Sequence, residues 1–250
     1  MFFRRRSTQA EYFDLHAQSE AVVLNTYREL DRMNRFFGFT RPFREMLPPW
    51  LGNERCSRLD ILDVGAGTGL LAQMLSRWAQ QRGWTWRFTN LDSNPAAIRH
   101  CAMPNAVNGS CLALPFTDGS FDLVIASQMT HHLTDEEVVV HLREAWRVTR
   151  HAMFICDLHR NAGLYTMLWL STILFRMNRL VRQDALISVK RGFRGHELRG
   201  FALEAGLGNA EVKLSYGTRI VLLARKTLPQ ASQRNELAEV FSTKLPQPPA

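Results

Sequence analysis

The stretch "LDVGAGTG", Leu62 to Gly69, decides how the chain reads. It links an apolar run, "LDILDV" (59–64), to "LLAQMLSRWAQQ" (70–81), in which Leu70, Leu71, Met74, Leu75 and Trp78 recur at helical spacing. The order is therefore buried strand, glycine loop, helix. Gly65, Gly67 and Gly69 let the backbone turn sharply and let a ligand approach without meeting Cβ atoms. The helix that follows aims its unpaired N–H groups at whatever rests on the loop. The spacing is G-x-G-x-G rather than the G-x-G-x-x-G of dinucleotide folds. Asp63 stands two residues before the first glycine; a carboxylate there repels a pyrophosphate and suits an ammonium group. A dinucleotide, or glycines with a purely structural role, are the competing readings.

Outward from the loop the same alternation continues. "TWRFTNLD" (85–92) reads as a second strand, "PAAIRHCA" as a short helix opened by Pro95, and "NAVNGSC" as a third strand. "FDLVIAS" (121–127) is a fourth strand, "DEEVVVHLREAWRVT" a helix, and "AMFICDL" a fifth strand. Strands alternating with helices imply a parallel sheet covered on both faces. "AEVKLSYGTRIVLLARK" reads as a hairpin around Tyr216-Gly217. Asp92, at the end of the second strand, is placed to accept hydrogen bonds from ribose hydroxyls. A nucleoside carrying a cationic amino-acid arm is S-adenosylmethionine.

These segments, with "LALPFTDGSFDLVIAS", the "HHL" after it and "REAWRVTR", resemble the class I S-adenosylmethionine-dependent methyltransferases. The resemblance runs over roughly residues 55–225. It is nearest to small-molecule enzymes akin to those of ubiquinone and menaquinone biosynthesis, and "CDLHRN" and "DALISVKRGFRGHEL" look like methyltransferases associated with polyketide synthases. It implies an α/β fold with a seven-stranded Rossmann-like sheet whose last strand is antiparallel. It also implies an N-terminal helical lid over residues 1–52 and a cofactor domain over 53–227 with a helical insertion at 161–191. Residues 228–250 read as a polar tail. By the same resemblance Gly65, Ala66, Gly67 and Gly69 line the methionine arm and Asp63 holds its ammonium. Asp92 binds the ribose, Ser93 or Asn94 lies near the adenine, and Ser127 ends the fourth strand beside the sulfonium. Relatives often carry an acid for the adenine amino group where this chain has Ser110, so Cys111 and Leu112 are expected to share that task.

The stretch "QMTHHLTDEE" (128–137) supplies the candidate chemistry. Thr134 and Glu137 fit a capping box, which accounts for the acids. His131 and His132 lie at the carboxyl edge of the sheet, where ligands bind in open α/β folds. His132 is the preferred base, with His131 the alternative and His159 and His16 as lesser candidates. No metal is expected, because adjacent histidines usually diverge. The fourth strand ends in "SQMT", not the N/D-P-P-Y/F motif used for amino groups of bases, and Cys156 sits mid-strand as a packed thiol. The acceptor is therefore expected to be an oxygen or activated ring carbon of a hydrophobic small molecule. Its pocket walls are expected from Tyr12, Phe13, Phe36, Phe37 and Phe39 and from Tyr165, Trp169, Phe175 and Met177.

Bulk composition narrows the rest. The 250 residues are 46% hydrophobic and 22% charged, ordinary for a globular chain with a full core. A formal charge of +8 raises nucleic acid as a partner, but the cations are dispersed rather than blocked, which disfavours it. Four cysteines without C-x-x-C pairing, and no apolar segment after the N-terminal arginines, suggest a cytoplasmic setting. The longest apolar run, "LYTMLWLSTILF" (164–175), is too short for a bilayer span of roughly 20 residues and reads as a buried helix, a lid, or a surface resting on a membrane.

Overall fold

The computed structural model describes residues 3–15 and 19–226. Seven strands form one sheet: β1 (Arg58–Val64), β2 (Thr85–Asp92), β3 (Ala106–Asn108), β4 (Phe121–Ser127), β5 (Thr149–Leu158), β6 (Glu211–Ser215) and β7 (Arg219–Arg225). Their spatial order is β3-β2-β1-β4-β5-β7-β6. Strands β1 to β5 pair in parallel, and β7 runs antiparallel to both neighbours, as expected for the last strand. Chain order reverses between β1 and β4, so the crevice that ligands use in such sheets opens beyond the carboxyl ends of these two strands.

The strand period of two divides the core. Ile61, Leu123, Ile125, Phe154, Cys156 and Val221 face one layer, against Leu71, Leu75 and Trp78 of α5 (Leu70–Gln80). Leu62, Val124, Ala126, Met153, Ile155 and Leu222 face the other, against Val138 and Leu142 of α7 (Asp135–Val148) and Leu198 and Ala202 of α10 (Gly195–Glu204). Strands buried on both faces need near-continuous apolar sequence, which "LDILDV" and "FDLVIAS" have.

The N-terminal segment forms α1 (Tyr12–Leu15), α2 (Glu20–Phe36) and α3 (Arg41–Leu51), followed by the single turn α4 (Asn53–Cys56). Prolines normally end a helix, but α3 continues through Pro48 and Pro49 to Leu51. Packing outweighs propensity here: Phe43, Leu47 and Leu51 lie one turn apart in the sheet core, and the Phe43 ring sits 4.6 Å from that of Phe154. Of the first 52 residues, α3 thus belongs to the core, while α2 overhangs the crevice.

After β5 the insertion folds as α8 (Ala162–Leu174) and α9 (Arg179–Arg191). Met33 of α2, Leu164 and Leu168 of α8, Val181 and Val189 of α9, and Leu158 form a third apolar cluster beside the crevice. Buried Arg160 ties the N-terminal segment down, donating to the carbonyls of Phe3 and Gly192 and to Glu197 at 2.5 Å. No helix among the described residues is long and apolar enough to cross a membrane. Residues 228–250 and His16 lie outside the described residues.

Candidate active site

The loop after β1 is shaped by its glycines. Gly65 and Gly67 have φ of +69° and +56°, which favours glycine. A Cβ on Gly65 would fall 2.6 Å from Met129 Cγ, and one on Gly67 would fall 2.8 Å from the Tyr27 ring. Gly65 and Ala66 donate their N–H groups to the Leu91 carbonyl, joining the loop to β2. Gly69, also at positive φ, caps α5. The Asp92 carboxylate holds the loop from the other side, accepting from Gly67 N and Asn94 N at 2.8 Å each.

Two acids at this end are buried. Asp63 is fully enclosed, and burial followed by the charge of Asp92 pushes its carboxyl up to about 8. Its Oδ2 has no hydrogen-bond partner among the described residues, and neither does the Ser127 hydroxyl at the end of β4. Buried polar atoms of this kind normally have partners. An ammonium ligand fits this end of the site, because it offers positive charge and N–H donors to a carboxylate oxygen that has no partner. Burial also raises Asp92, though the N–H groups of Asn94 and Gly67 and the nearby His132 pull it back.

Asp63, Gly65, Ala66, Gly67, Asp92, Ser93, Asn94, Cys111 and Ser127 all line one cavity of about 1480 Å³. Asn94 has a second duty there, since its side chain caps α6 (Pro95–Arg99) by accepting from Ala96 N and Ala97 N. Ser110 departs from expectation. It is exposed and outside the lining, and its hydroxyl accepts from Leu112 N in a turn bridged to Ala113. Leu112 is likewise outside the lining.

A 3-10 turn, Thr130–His132, carries the two histidines. The expectation that adjacent histidines diverge is overturned: the rings lie 4.4 Å apart and tilted by 34°. Residues from distant segments impose this. Nδ1 of His131 meets Asp157 Oδ1 at 2.6 Å, and His131 N donates to Asp157 Oδ2. Glu11, buried just before α1, places Oε1 3.6 Å from His131 Nε2 and 3.9 Å from His132 Nδ1, and accepts from Ser188 Oγ at 2.6 Å. Two arginines grip the turn: Arg191 donates to the carbonyls of His131 and His132, and Arg6 to those of His131 and Leu133. Burial raises the Asp157 carboxyl, but the His131 charge and hydrogen bond and the backbone N–H of Leu158 outweigh it and leave it below its usual value. The capping box is present, with Thr134 Oγ1 accepting from Glu137 N and Glu137 accepting from Thr134 N.

One ligand atom from each of Glu11, His131 and His132 lies within 4.8 Å of the others, a spacing that a small cation could bridge. The Ser188 hydroxyl on Glu11 and the Asp157 carboxylate on His131 already join these side chains into a chain of hydrogen-bonded groups. His131, buried between Asp157 and Glu11, is the anchor of that chain; His132 is less buried and lines the cavity. His141 is remote from it, fully buried near the Cys111 carbonyl, with burial pushing its imidazole down to about 4. His159 contacts the Gly217 carbonyl and Asn161 and does not line the cavity.

Beyond the histidines the cavity becomes apolar. Leu30, Met33, Phe37, Leu164, Leu168 and Val181 form its walls. Of the expected aromatics only Phe37 and Phe39 line it; Tyr165, Phe175 and Met177 pack in the third cluster, Tyr12 lies outside the lining, and Phe36 and Trp169 point outward. The Phe13 side chain is outside what is described. Glu11, Asp157, Arg6, Arg191 and Tyr27 were not singled out from sequence. Asp157 alone left a signal, an acid inside the buried strand "FICDL".

Residues 62–155 match the Methyltransferase domain family. The matched span is a methyltransferase domain. Demethylmenaquinone methyltransferase of Roseiflexus castenholzii is 32% identical over 124 residues, 48% of this chain and 50% of that protein, so the chain spans half the length of this relative. Among solved structures, a putative S-adenosylmethionine-dependent methyltransferase of Methanococcus maripaludis superposes with TM-score 0.59 at 16% identity, over 86% of this chain and 98% of that one. Magnesium protoporphyrin IX methyltransferase of Synechocystis, solved with bound S-adenosylhomocysteine, superposes with TM-score 0.57 at 13% identity, over 83% and 96%. At these identities the structural likeness speaks to the fold.

Proposed function

We propose that this chain transfers a methyl group from S-adenosylmethionine to an oxygen, or to an activated ring carbon, of a hydrophobic aromatic small molecule such as a phenol or quinol. One observation carries the reading: a single cavity has the glycine loop and two buried acids at one end, an apolar chamber at the other, and His132 with Glu11 along its wall. At about 1480 Å³ it exceeds the roughly 300–1,000 Å³ usual for one ligand, which suits two molecules side by side. The demethylmenaquinone relative is consistent with a lipophilic acceptor.

The cofactor supplies an electrophilic methyl; the chain's residues orient, desolvate and handle the proton. Asp63 and Ser127 offer the cofactor unsatisfied polar atoms, and Asp92 braces the loop beside it. The walls from α2, α8 and α9 exclude water and align the acceptor, which accounts for much of the barrier in a displacement reaction. His132 accepts the acceptor's proton, with Glu11 and the Asp157–His131 pair fixing the turn that presents it. The test is formation of S-adenosylhomocysteine and a product 14 mass units heavier on a panel of phenols and hydroquinones. Tight cofactor binding with no product on that panel would refute the acceptor class.

A further inference from the structure

Helix α8 is apolar around its circumference, yet only one side is covered. Leu164 and Leu168 are buried toward the third cluster, whereas Trp169 (44% exposed), Leu170 (54%), Ile173 (44%) and Leu174 (73%) stand in solvent. At 100° per residue these four span an arc of roughly 140°. Leu180 of α9 and Phe36 of α2 extend the patch, and the Phe36 ring touches Phe175 at 5.1 Å. A helix apolar on all sides is normally buried on all sides, and contiguous exposed apolar surface marks an interaction site.

The surrounding charge indicates the partner. Arg32 and Arg35 of α2, Arg176 before α9 and Arg179 at its start are exposed, and no Asp or Glu occurs between Leu158 and Gln183. We propose that this face docks on an anionic lipid bilayer, with Trp169, Leu170, Ile173 and Leu174 entering the headgroup boundary and the arginines meeting lipid phosphates. A second copy of the chain fits less well, because a two-fold contact through this face would set one arginine rim against another. Nucleic acid would leave the apolar centre unmatched. The opposite side of α8 supplies Leu164, Met167 and Leu168 to the cavity, so one helix separates the bilayer from the acceptor chamber.

The test is flotation with phosphatidylcholine vesicles, with and without about one-third phosphatidylglycerol. The full chain should float with anionic vesicles and weakly with neutral ones. Leu170→Ser with Leu174→Ser should cut partitioning at least about tenfold, and Arg176→Ser with Arg179→Ser about fivefold per arginine, with far-UV spectrum and melting temperature unchanged. Absence of flotation, flotation unaffected by either pair, or equal binding to neutral vesicles would overturn the proposal. So would a sedimenting dimer abolished by the leucine pair without vesicle binding. The readout does not depend on methyl transfer, so this proposal and the proposed activity fail separately.

Discussion

Asp63→Asn should make the protein more stable and its cofactor binding weaker. Burial and the charge of Asp92 raise the Asp63 carboxyl to about 8 in the folded chain, against about 3.9 unfolded. The folded state therefore holds this proton more tightly. Its contribution to stability is full below about pH 4 and is lost as pH rises through about 8. By pH 7 the raised pKa corresponds to at most about 4 kcal/mol, and replacing the acid by a neutral amide should recover half of that, about 2 kcal/mol. For a chain of this size that is a rise in melting temperature of roughly 4–8 °C. The gap between wild type and variant should widen from pH 5 to pH 8.

The same carboxyl must ionise to pair with a cationic ligand. At pH 7 a group with pKa 8 is about nine-tenths protonated, so binding S-adenosylmethionine should release about 0.9 proton. Calorimetric titration in phosphate, HEPES and Tris buffers, whose ionisation enthalpies differ, measures that number directly. Asp63→Asn should abolish the release and weaken binding about tenfold to a hundredfold, the range for a charged hydrogen bond. Equal proton release in wild type and variant, or a variant that melts lower at pH 8, would refute the reasoning.

His132→Gln should lower kcat by about 10²- to 10⁴-fold and remove the acid limb of its pH profile, measured with a hydroxylated acceptor; unchanged turnover and profile would end the base role. Asp157→Asn breaks a buried charged pair with His131, and loss of about 3–5 kcal/mol should appear as a drop in melting temperature on the order of 10 °C. Asp92→Ala should weaken cofactor binding about tenfold or more, since it also releases Gly67 N, and Ser110→Ala should leave it within about twofold; the reverse order would relocate the cofactor. Dialysis against EDTA should leave turnover unchanged, whereas a loss reversed by zinc would assign a cation to Glu11, His131 and His132.

The sheet was legible because its information is local. Strands β1, β4, β5 and β7 each contain a short apolar run, and the loop after β1 announces itself through glycines whose absent side chains make room for Met129 and Tyr27. The capping box at Thr134 is local too. Pro48 and Pro49 show where local rules yield: helix-breaking residues continue a helix because Leu47 and Leu51 are buried on either side of them. The orientation of the histidines lay outside such reading. It depends on Glu11, Asp157, Ser188 and Arg191, which are 26 to 120 residues from His131 in the chain, and no periodicity encodes where an irregular N-terminal segment will come to rest.

Helix α8 follows the same logic from the opposite direction. Its sequence has no polar side to say which way it turns, so the expected aromatic pocket wall of Trp169 was as reasonable as any other reading. Rotation was settled by α9 and α2, which bury Leu164 and Leu168 and leave Trp169 outside. The chamber is consequently lined mainly by leucine, methionine and valine, with Phe37 and Phe39 the only expected aromatics left in the lining. Such walls bind by area and shape and impose little orientation. Regiochemical control must then come from the polar end, where His132 and the glycine loop both line the cavity, and a substitution there should alter product ratio more than one among the aliphatic walls.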